Sequence, residues 1–233
     1  MKVAIIPARG GSKRIPRKNV RGFCGKPMIV WSIEAALKSG CFDEVIVSTD
    51  DEEIADVARR SGASVPFMRP ASLSDDYTGT LPVIHHAVEW FVGQGYSVES
   101  ACCIYATAPF ISADDLRRGE DLLRSTGCSF AFSVTSFAFP VQRALRLLEG
   151  GRVEMLQPEQ FATRSQDLEE AWHDAGQFYW GTADAWCQER VIFGPESVGV
   201  PVPRYRVQDI DTLEDWEFAE YLFEAARVRS DHA

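Results

Sequence analysis

Short apolar and β-branched runs alternate with helical patterns through the first half of the chain. This alternation is typical of βαβ units, which build a mainly parallel sheet with helices on both faces. A further near-continuous apolar run at residues 101–105 is typical of a buried strand in such a sheet. We therefore predict an α/β fold with a doubly wound, mostly parallel sheet. The strand candidates are residues 3–7, 45–49 and 64–67, and the helix candidates that follow them are residues 28–38, 52–61 and 81–91.

The rhythm changes between about residues 130 and 180, where aromatic and proline-rich connections separate two short strand candidates, 143–148 and 152–155. We predict an inserted antiparallel excursion there. The pattern then predicts a helix at 183–189, a strand at 197–202 and an amphipathic helix at about 213–229. The chain has 233 residues, of which 45% are hydrophobic, so we expect residues 1–233 to form a single domain around one core.

The first strand leads directly into a loop with two adjacent glycines and many cations. Gly10 and Gly11 lack a Cβ, so their backbone can approach phosphate oxygens and form an anion-binding concavity. Ligands of parallel sheets bind at the carboxyl ends of the strands, where this loop lies. Such a run in isolation is usually a solvated basic loop, but its position and charge together predict a polyphosphate site. It is neither a P-loop nor a G-x-G-x-x-G fingerprint. Its cations are Arg9, Lys13, Arg14, Arg17 and Lys18.

The overall charge of the chain restricts its partners. The 24 basic and 34 acidic residues give a net charge of −10, which disfavours nucleic acid or an anionic membrane and favours a small anionic ligand. No apolar stretch is long enough to cross a membrane, and no signal peptide is visible, so we expect a cytoplasmic protein. The six cysteines include no C-x-x-C pair, which predicts reduced structural thiols.

Two carboxylates lie close together late in the chain. Asp209 and Asp211 are two residues apart, so in extended backbone they project to the same side, as a divalent cation site requires. Mg²⁺ prefers such oxygen ligands and usually bridges them to substrate phosphates. Asp211 could instead cap the last helix. Taken alone the two interpretations are equally good, and the phosphate loop favours the metal.

Nucleotidyl transfer needs cations on the phosphates, a bridging metal and an aligned nucleophile. We predict that Arg9 and Lys18 neutralise the triphosphate and that Asn19 offers its amide to ribose or phosphate. The predicted catalytic residues are Arg9, Lys18, Asp209 and Asp211. The predicted nucleotide contacts from this loop are Ala8, Arg9, Gly10, Gly11, Ser12, Lys18 and Asn19.

The excursion carries candidates for an acceptor site. An arginine can bind a carboxylate with two hydrogen bonds, which makes Arg143 and Arg164 candidates for an acidic substrate. His173 and Asp174 could form a general-base pair, but adjacent residues rarely point that way, and a structural role for His173 is at least as good. The candidate acceptor-site residues are Tyr105, Gln142, Arg143, Arg164, His173, Gln177 and Tyr179.

Runs along nearly the whole chain resemble one known family. In the opening loop and at residues 23–29, 45–50, 105–110 and 209–211, the sequence resembles the CMP-sialic acid synthetase (acylneuraminate cytidylyltransferase) family. Arg14 and residues 139–143, 158–161 and 173–179 resemble its pseudaminate branch. Sialic acid enzymes commonly have a glycine and a glutamine where this chain has Arg14 and Tyr105, which argues against sialic acid as the substrate.

This resemblance implies a fold of the nucleotide-diphospho-sugar transferase type and a homodimer. It also places the metal at the late aspartates, and the cytosine at Arg69 with Thr78 or Thr80. The implied reaction joins CTP and an acidic nine-carbon sugar to give the CMP-sugar and pyrophosphate, and the pseudaminate branch implies pseudaminic acid as that sugar. Alternatives are legionaminic, sialic or 2-keto-3-deoxy sugars, another sugar nucleotidyltransferase, and a nonenzymatic nucleotide-binding module.

Overall fold

The computed structural model describes residues 1–230. The helices are α1 (Met28–Ser39), α2 (Glu52–Arg60), α3 (Thr80–Gly93), α4 (Ala113–Thr126), α5 (Ala183–Cys187) and α6 (Leu213–Ser230). The strands are β1 (Lys2–Pro7), β2 (Gly22–Phe23), β3 (Lys26–Pro27), β4 (Glu44–Ser48), β5 (Ser100–Ile104), β6 (Phe130–Ser136), β7 (Leu145–Leu147), β8 (Val153–Met155), β9 (Trp172–Thr182) and β10 (Ser197–Pro201).

A six-stranded sheet in the order β10-β6-β9-β5-β1-β4 forms the centre of the protein. Strand β9 runs antiparallel to both of its neighbours, and the other adjacent pairs are parallel. Helices α1, α2 and α4 pack on one face with Ala4 and Ile6, whereas α3 and α5 pack on the other with Val3 and Ile5. Alternate residues of β1 thus point to opposite faces of the sheet, as strand geometry requires. The predicted α/β fold with a doubly wound, mostly parallel sheet is confirmed.

A third apolar cluster joins the two ends of the chain. Helix α6 contributes Trp216 and Phe223, which pack against Phe23 of the β2–β3 hairpin at ring-centroid distances of 5.5 Å. Ile15 and Ile210 are also buried in this cluster. Because Ile15 belongs to the cationic loop and Ile210 lies between Asp209 and Asp211, this packing brings the loop and the late acidic segment together.

Two predictions in the first half of the chain were wrong or incomplete. Residues 64–67 do not form a strand: they run beside β4 but pair with it only through isolated bridges at Ser64 and Met68. The reason is Pro66, which has no N–H to donate to a ladder. Helix α4 was not predicted, although Ser112 caps its start through the Asp115 amide and Gly127 ends it in the left-handed region.

The excursion begins and ends inside the main sheet. Strands β6 and β9, which the sequence placed in the predicted insertion, are central strands of the sheet, because their apolar side chains are buried. The part outside the sheet covers residues 137–171 and contains the antiparallel β7–β8 pair, as predicted. That residues 1–233 form one domain stays a prediction. No helix within residues 1–230 has both the length and the hydropathy to cross a membrane.

Candidate active site

Two adjoining cavities lie at the carboxyl ends of β1 and β5. The larger, of about 400 Å³, is lined mainly by cations of the loop, and the smaller, of about 190 Å³, is lined by the segment that leads into α3. They share Pro7, Arg9, Asn19 and Thr107. The larger cavity therefore has the charge for a triphosphate, and the smaller one adjoins it as a base and ribose subsite would. The larger cavity is lined by Pro7, Arg9, Ser12, Lys13, Arg14, Lys18, Asn19, Asp76 and Thr107.

Lys18 joins the loop to the late acidic segment. Its ammonium donates to the Ile210 carbonyl and lies 3.5 Å from Asp211 Oδ1. Arg14 forms an ion pair with Oδ2 of the same carboxylate at 2.5 Å. Both cations also line the larger cavity. The structure thus brings together the loop and the late acidic segment. Lys18 and Ile210, which are in contact, are 192 residues apart in the sequence.

The far side of the loop is fixed to the start of α2. Arg17 has a left-handed φ of 57° and donates to both oxygens of Asp51, at 2.6 and 2.9 Å. It also pairs with Glu53. The Arg17 guanidinium lowers the pKa of Asp51 to about 2, and the same carboxylate caps α2 through the Ile54 amide. Arg17 therefore supports the loop and does not line either cavity.

Gly10 packs closely against the start of α2. A Cβ at this position would lie 2.6 Å from Asp51 Oδ2, so glycine is required here for close packing against α2. The Gly10 amide donates to Asp50, and the Ser12 amide donates to the Gly10 carbonyl. At Gly11, by contrast, a Cβ would have no heavy atom within 4 Å. Of these residues, Gly11 is the exposed one whose backbone is open to an approaching ligand.

Ala8 and Asn19 support the loop through hydrogen bonds on its inner side. Ala8 is buried, and its amide continues the sheet by donating to Ser48. The Asn19 side-chain amide donates to the Arg9 carbonyl at 3.0 Å. Asn19 nevertheless lines both cavities. Ala8 thus supports the site from the core, and Asn19 holds the loop closed while facing the ligand space.

An acidic side chain that the sequence analysis missed lies within the larger cavity. Asp76 accepts from Arg9 at 2.6 Å and also pairs with Lys13. The Lys13 and Arg9 cations lower the pKa of this carboxylate. Arg9 also donates to the Asp75 carbonyl at 2.9 Å. The loop before α3 is thereby drawn onto the phosphate-binding cations, and a bound triphosphate would have to displace the Asp76 carboxylate.

The smaller cavity contains the residues expected to hold the base. Arg69 is 6% exposed, its Nε donates to Ser74, and its Nη2 has no hydrogen-bond partner among the described residues. That atom lies 3.8 Å from Asp50 Oδ1, close enough for an ion pair but too far for a hydrogen bond. A buried donor without a hydrogen bond is costly unless a ligand satisfies it. The Thr78 hydroxyl donates to Asp75, and the Thr80 hydroxyl lies 3.0 Å from that of Tyr105. Arg69, Thr78 and Thr80, predicted to hold the base, therefore line one cavity, and Tyr105, predicted for the sugar site, lines it too.

The predicted sugar-site residues divide into two groups. Tyr105 lines the smaller cavity, and the buried Tyr179 lies beside it, with the ring centroids 5.3 Å apart. Gln177 is buried too; its amide donates to the Arg206 carbonyl, and its Oε1 has no partner within residues 1–230. His173 does not pair with the Asp174 carboxylate: its Nδ1 lies 2.8 Å from the Asp174 carbonyl oxygen.

The second group lies on the excursion, away from both cavities. Gln142 donates to the Glu169 carbonyl, and Arg143 donates to the Thr163 carbonyl. Arg164 pairs with Asp167, three residues further on. None of the three lines either cavity. Within one described chain, these residues therefore form local contacts and do not reach the nucleotide site.

The late aspartates have the donor set that a magnesium ion prefers. Asp211 is half-buried beside Lys18, and Asp209 is exposed. The Asp209 carboxylate has no ion-pair partner in the described part of the chain, and its carbonyl accepts from Gln208. Carboxylate oxygens beside a phosphate cavity fit Mg²⁺ chemically. No cluster of three or more acidic, histidine or cysteine side chains suited to a metal occurs in residues 1–230, so substrate oxygens would have to complete such a site.

Comparison with known proteins gives consistent matches. The cytidylyltransferase family model matches residues 3–136. Pseudaminic acid cytidylyltransferase of Campylobacter jejuni is 48% identical over 221 residues, covering 95% of both chains. CMP-N,N'-diacetyllegionaminic acid synthase of Legionella pneumophila is 33% identical, covering 95% of this chain and 96% of the relative.

A solved structure supports the fold independently. CMP:2-keto-3-deoxy-manno-octonic acid synthetase in complex with CTP superposes with a TM-score of 0.68. The superposition covers 97% of this chain and 99% of that one, at 18% identity. The likeness in fold thus extends over nearly the whole chain.

Proposed function

This chain belongs to the cytidylyltransferase family, and we propose that it transfers CMP from CTP to pseudaminic acid, releasing pyrophosphate. It is a CTP-dependent sugar nucleotidyltransferase. The observation that carries the proposal is the meeting of Lys18 with Ile210 and Asp211 at the edge of a cation-lined cavity. The 48% identity to a pseudaminic acid cytidylyltransferase over 95% of both chains supports the choice of sugar.

The reaction forms one bond and breaks another at the α-phosphorus of CTP. The anomeric hydroxyl oxygen of the sugar attacks this phosphorus and loses its proton, and the bond to the β-phosphate oxygen breaks, with its electron pair leaving on pyrophosphate. Such transfer depends on positioning and charge neutralisation. Lys18, Arg14, Lys13 and Arg9 surround the cavity where the triphosphate and the leaving pyrophosphate would lie. Arg69 would donate to the cytosine base from Nη2, which makes no hydrogen bond among the described residues.

Magnesium is the cofactor that we propose for this site. Asp211 and Asp209 would hold it, because they supply the hard oxygen ligands next to the phosphate cavity. When bound, the ion would supply charge neutralisation between these carboxylates and the triphosphate. Lys18 and Arg14, which line the cavity, also contact Asp211 and hold its carboxylate beside it.

A homodimer through the excursion is the assembly that we propose. The excursion exposes large apolar side chains, with Phe139 82%, Leu147 76% and Phe161 73% exposed. Large exposed apolar side chains concentrated in one segment are typical of a protein interface. A second copy would cover it, and it would also offer Arg143 and Arg164 a route to a nucleotide site that they do not reach within one chain. Action in the cytoplasm stays a prediction.

A nucleotide and sugar panel tests the proposed function. The purified protein is incubated with Mg²⁺, one of CTP, UTP, ATP or GTP, and one of pseudaminic, legionaminic, sialic or 2-keto-3-deoxy-octonic acid. Pyrophosphate release and product mass are then measured. We expect CMP-pseudaminic acid at the highest kcat/KM. Higher efficiency with another sugar would replace the acceptor, and CTP binding without product from any acceptor would favour the nucleotide-binding module.

A further inference from the structure

Asp50 is the counter-charge of the buried arginine in the smaller cavity. The Arg69 side chain is 4% exposed, and its Nη2 lies 3.8 Å from Asp50 Oδ1. No other acidic side chain within residues 1–230 forms an ion pair with this guanidinium. Burial lowers the pKa of Arg69, and the Asp50 carboxylate opposes that shift. A cation so deeply buried depends on such a partner.

The same carboxylate oxygen also holds the phosphate-binding loop. Asp50 Oδ1 accepts a hydrogen bond from the Gly10 amide at 3.0 Å. The Asp50 side chain is 30% exposed and lines neither of the two cavities. Asp50 is therefore joined to the loop by a hydrogen bond and to the base subsite by charge, without lining the ligand space itself.

The backbone on both sides of Asp50 is fixed. The Thr49 carbonyl accepts from the Arg69 amide at 2.7 Å, which holds the two segments side by side. The Asp51 carboxylate caps α2 and is bound by Arg17. Because both neighbours are held, the Asp50 carboxylate has a defined position relative to Arg69.

The charges around Arg69 leave one of its donors available to a ligand. Arg9 lines the same cavity, and its positive charge disfavours that of Arg69. Asp50 attracts the guanidinium through the oxygen that is bound to the loop. At 3.8 Å this oxygen is too far away to accept a hydrogen bond from Nη2. Asp50 thus stabilises the Arg69 cation and leaves Nη2 available to an acceptor atom of the base.

We propose that Asp50 is a positioning residue for the nucleotide, whose charge holds the Arg69 guanidinium where Nη2 can donate to the base. The hydrogen bond to Gly10 lets the same oxygen anchor the phosphate-binding loop beside that subsite. The inference deepens the proposed function and rests on it for the identity of the base. It requires no contact between Asp50 and the nucleotide.

The variant Asp50→Asn separates the charge from the hydrogen bond. Asparagine keeps an oxygen that can accept from the Gly10 amide, but it no longer attracts Arg69. Asp50→Ser is a second uncharged variant. Arg69→Met removes the guanidinium at similar length, and combining it with Asp50→Asn completes a double-mutant cycle. Asp56→Asn, which removes an exposed ion pair with Arg59 on α2, is the matched control.

The measured quantities are kcat, the CTP KM and the inhibition constant of pyrophosphate, which has no base. Loss of the counter-charge should raise the CTP KM by about tenfold in both uncharged variants. The inhibition constant of pyrophosphate should change by less than about twofold in Asp50→Asn, because the contact with Gly10 is kept. In the Arg69→Met background, Asp50→Asn should cause no further loss.

Three results would overturn the inference. They are an unchanged CTP KM in Asp50→Asn, an equal weakening of pyrophosphate and CTP, and a further loss from Asp50→Asn when Arg69 is already methionine. The first would remove the role of the charge, the second would place the effect in the loop, and the third would separate Asp50 from Arg69. Absence of wild-type turnover would instead contradict the proposed function.

Discussion

The ion pair between Arg17 and Asp51 gives the sharpest stability prediction. Asp51 caps α2 and accepts both Arg17 hydrogen bonds, and its side chain is 22% exposed. Replacing it with asparagine keeps a good N-cap, because asparagine caps helices about as well as aspartate. Asp51→Asn therefore removes the charge that holds Arg17 and leaves the capping interaction in place.

The magnitude follows from the pKa of Asp51. Arg17, with smaller contributions from the capping amides of Ile54 and Glu53, lowers this pKa from 3.8 to about 2. Because a tenfold change in proton affinity corresponds to ~1.4 kcal/mol, the ionised group stabilises the fold by about 2 kcal/mol. A carboxylate with a depressed folded-state pKa contributes fully above its unfolded value. The contribution then declines as the pH falls from 3.8 and is lost below about 2.

Denaturant unfolding at several pH values measures this contribution. At pH 7, Asp51→Asn should lower the free energy of unfolding by about 2 kcal/mol, or the melting temperature by about 4–8 °C for a chain of this size. The difference from wild type should shrink between pH 4 and pH 3. Asp121→Asn, which removes an exposed pair with Arg124, is the control and should change stability little. A destabilisation that is the same at pH 7 and pH 3, or none at pH 7, would refute the reasoning.

Other predictions concern the loop, the base subsite and the interface. Gly10→Ala should destabilise the protein by about 1–3 kcal/mol, because its Cβ would overlap Asp51, whereas Gly11→Ala should leave thermal stability unchanged and raise the KM for CTP. Arg69→Ala should raise the CTP KM by about 10- to 100-fold in steady-state assays, since it removes a charged donor to the base; an unchanged KM would place the base elsewhere. Leu147→Glu should shift the protein toward monomer in sedimentation velocity, and an unaltered distribution would exclude this surface as the interface.

Much of the fold was predictable because local patterns and tertiary packing agree. The strands and helices of the first half have apolar runs of the right length, and Asp51 marks the start of α2 by its chemistry. The prediction failed at residues 64–67, where an apolar run lacks a donor at Pro66. The capping signal Ser112 with Asp115 could have revealed α4. That β6 and β9 enter the central sheet depends on pairing between distant segments, which periodicity does not report.

The site was predictable where charge is concentrated. Lys18 and Asp211 stood out because each belongs to a dense local pattern, and they lie together in the structure. Asp76 was missed because one acid among several in a polar loop carries no signal until its contacts with Arg9 and Lys13 are known. Asp174 was considered with its neighbour His173, but the structure pairs it with Tyr179 across a β-bulge. Such partners are set by backbone irregularity, not by sequence spacing.

Single-turnover formation of the CMP-sugar by a Lys18→Met variant tests most directly whether the N-terminal loop and the late aspartates form one nucleotide site. The variant removes the ammonium that contacts both Ile210 and Asp211, and its folding is to be checked by circular dichroism. Loss of one such preorganised charge should slow cytidylyl transfer by about 100-fold or more at saturating CTP and sugar. Transfer by the folded variant at the wild-type rate would contradict a reaction centred where the N-terminal loop meets the late aspartates.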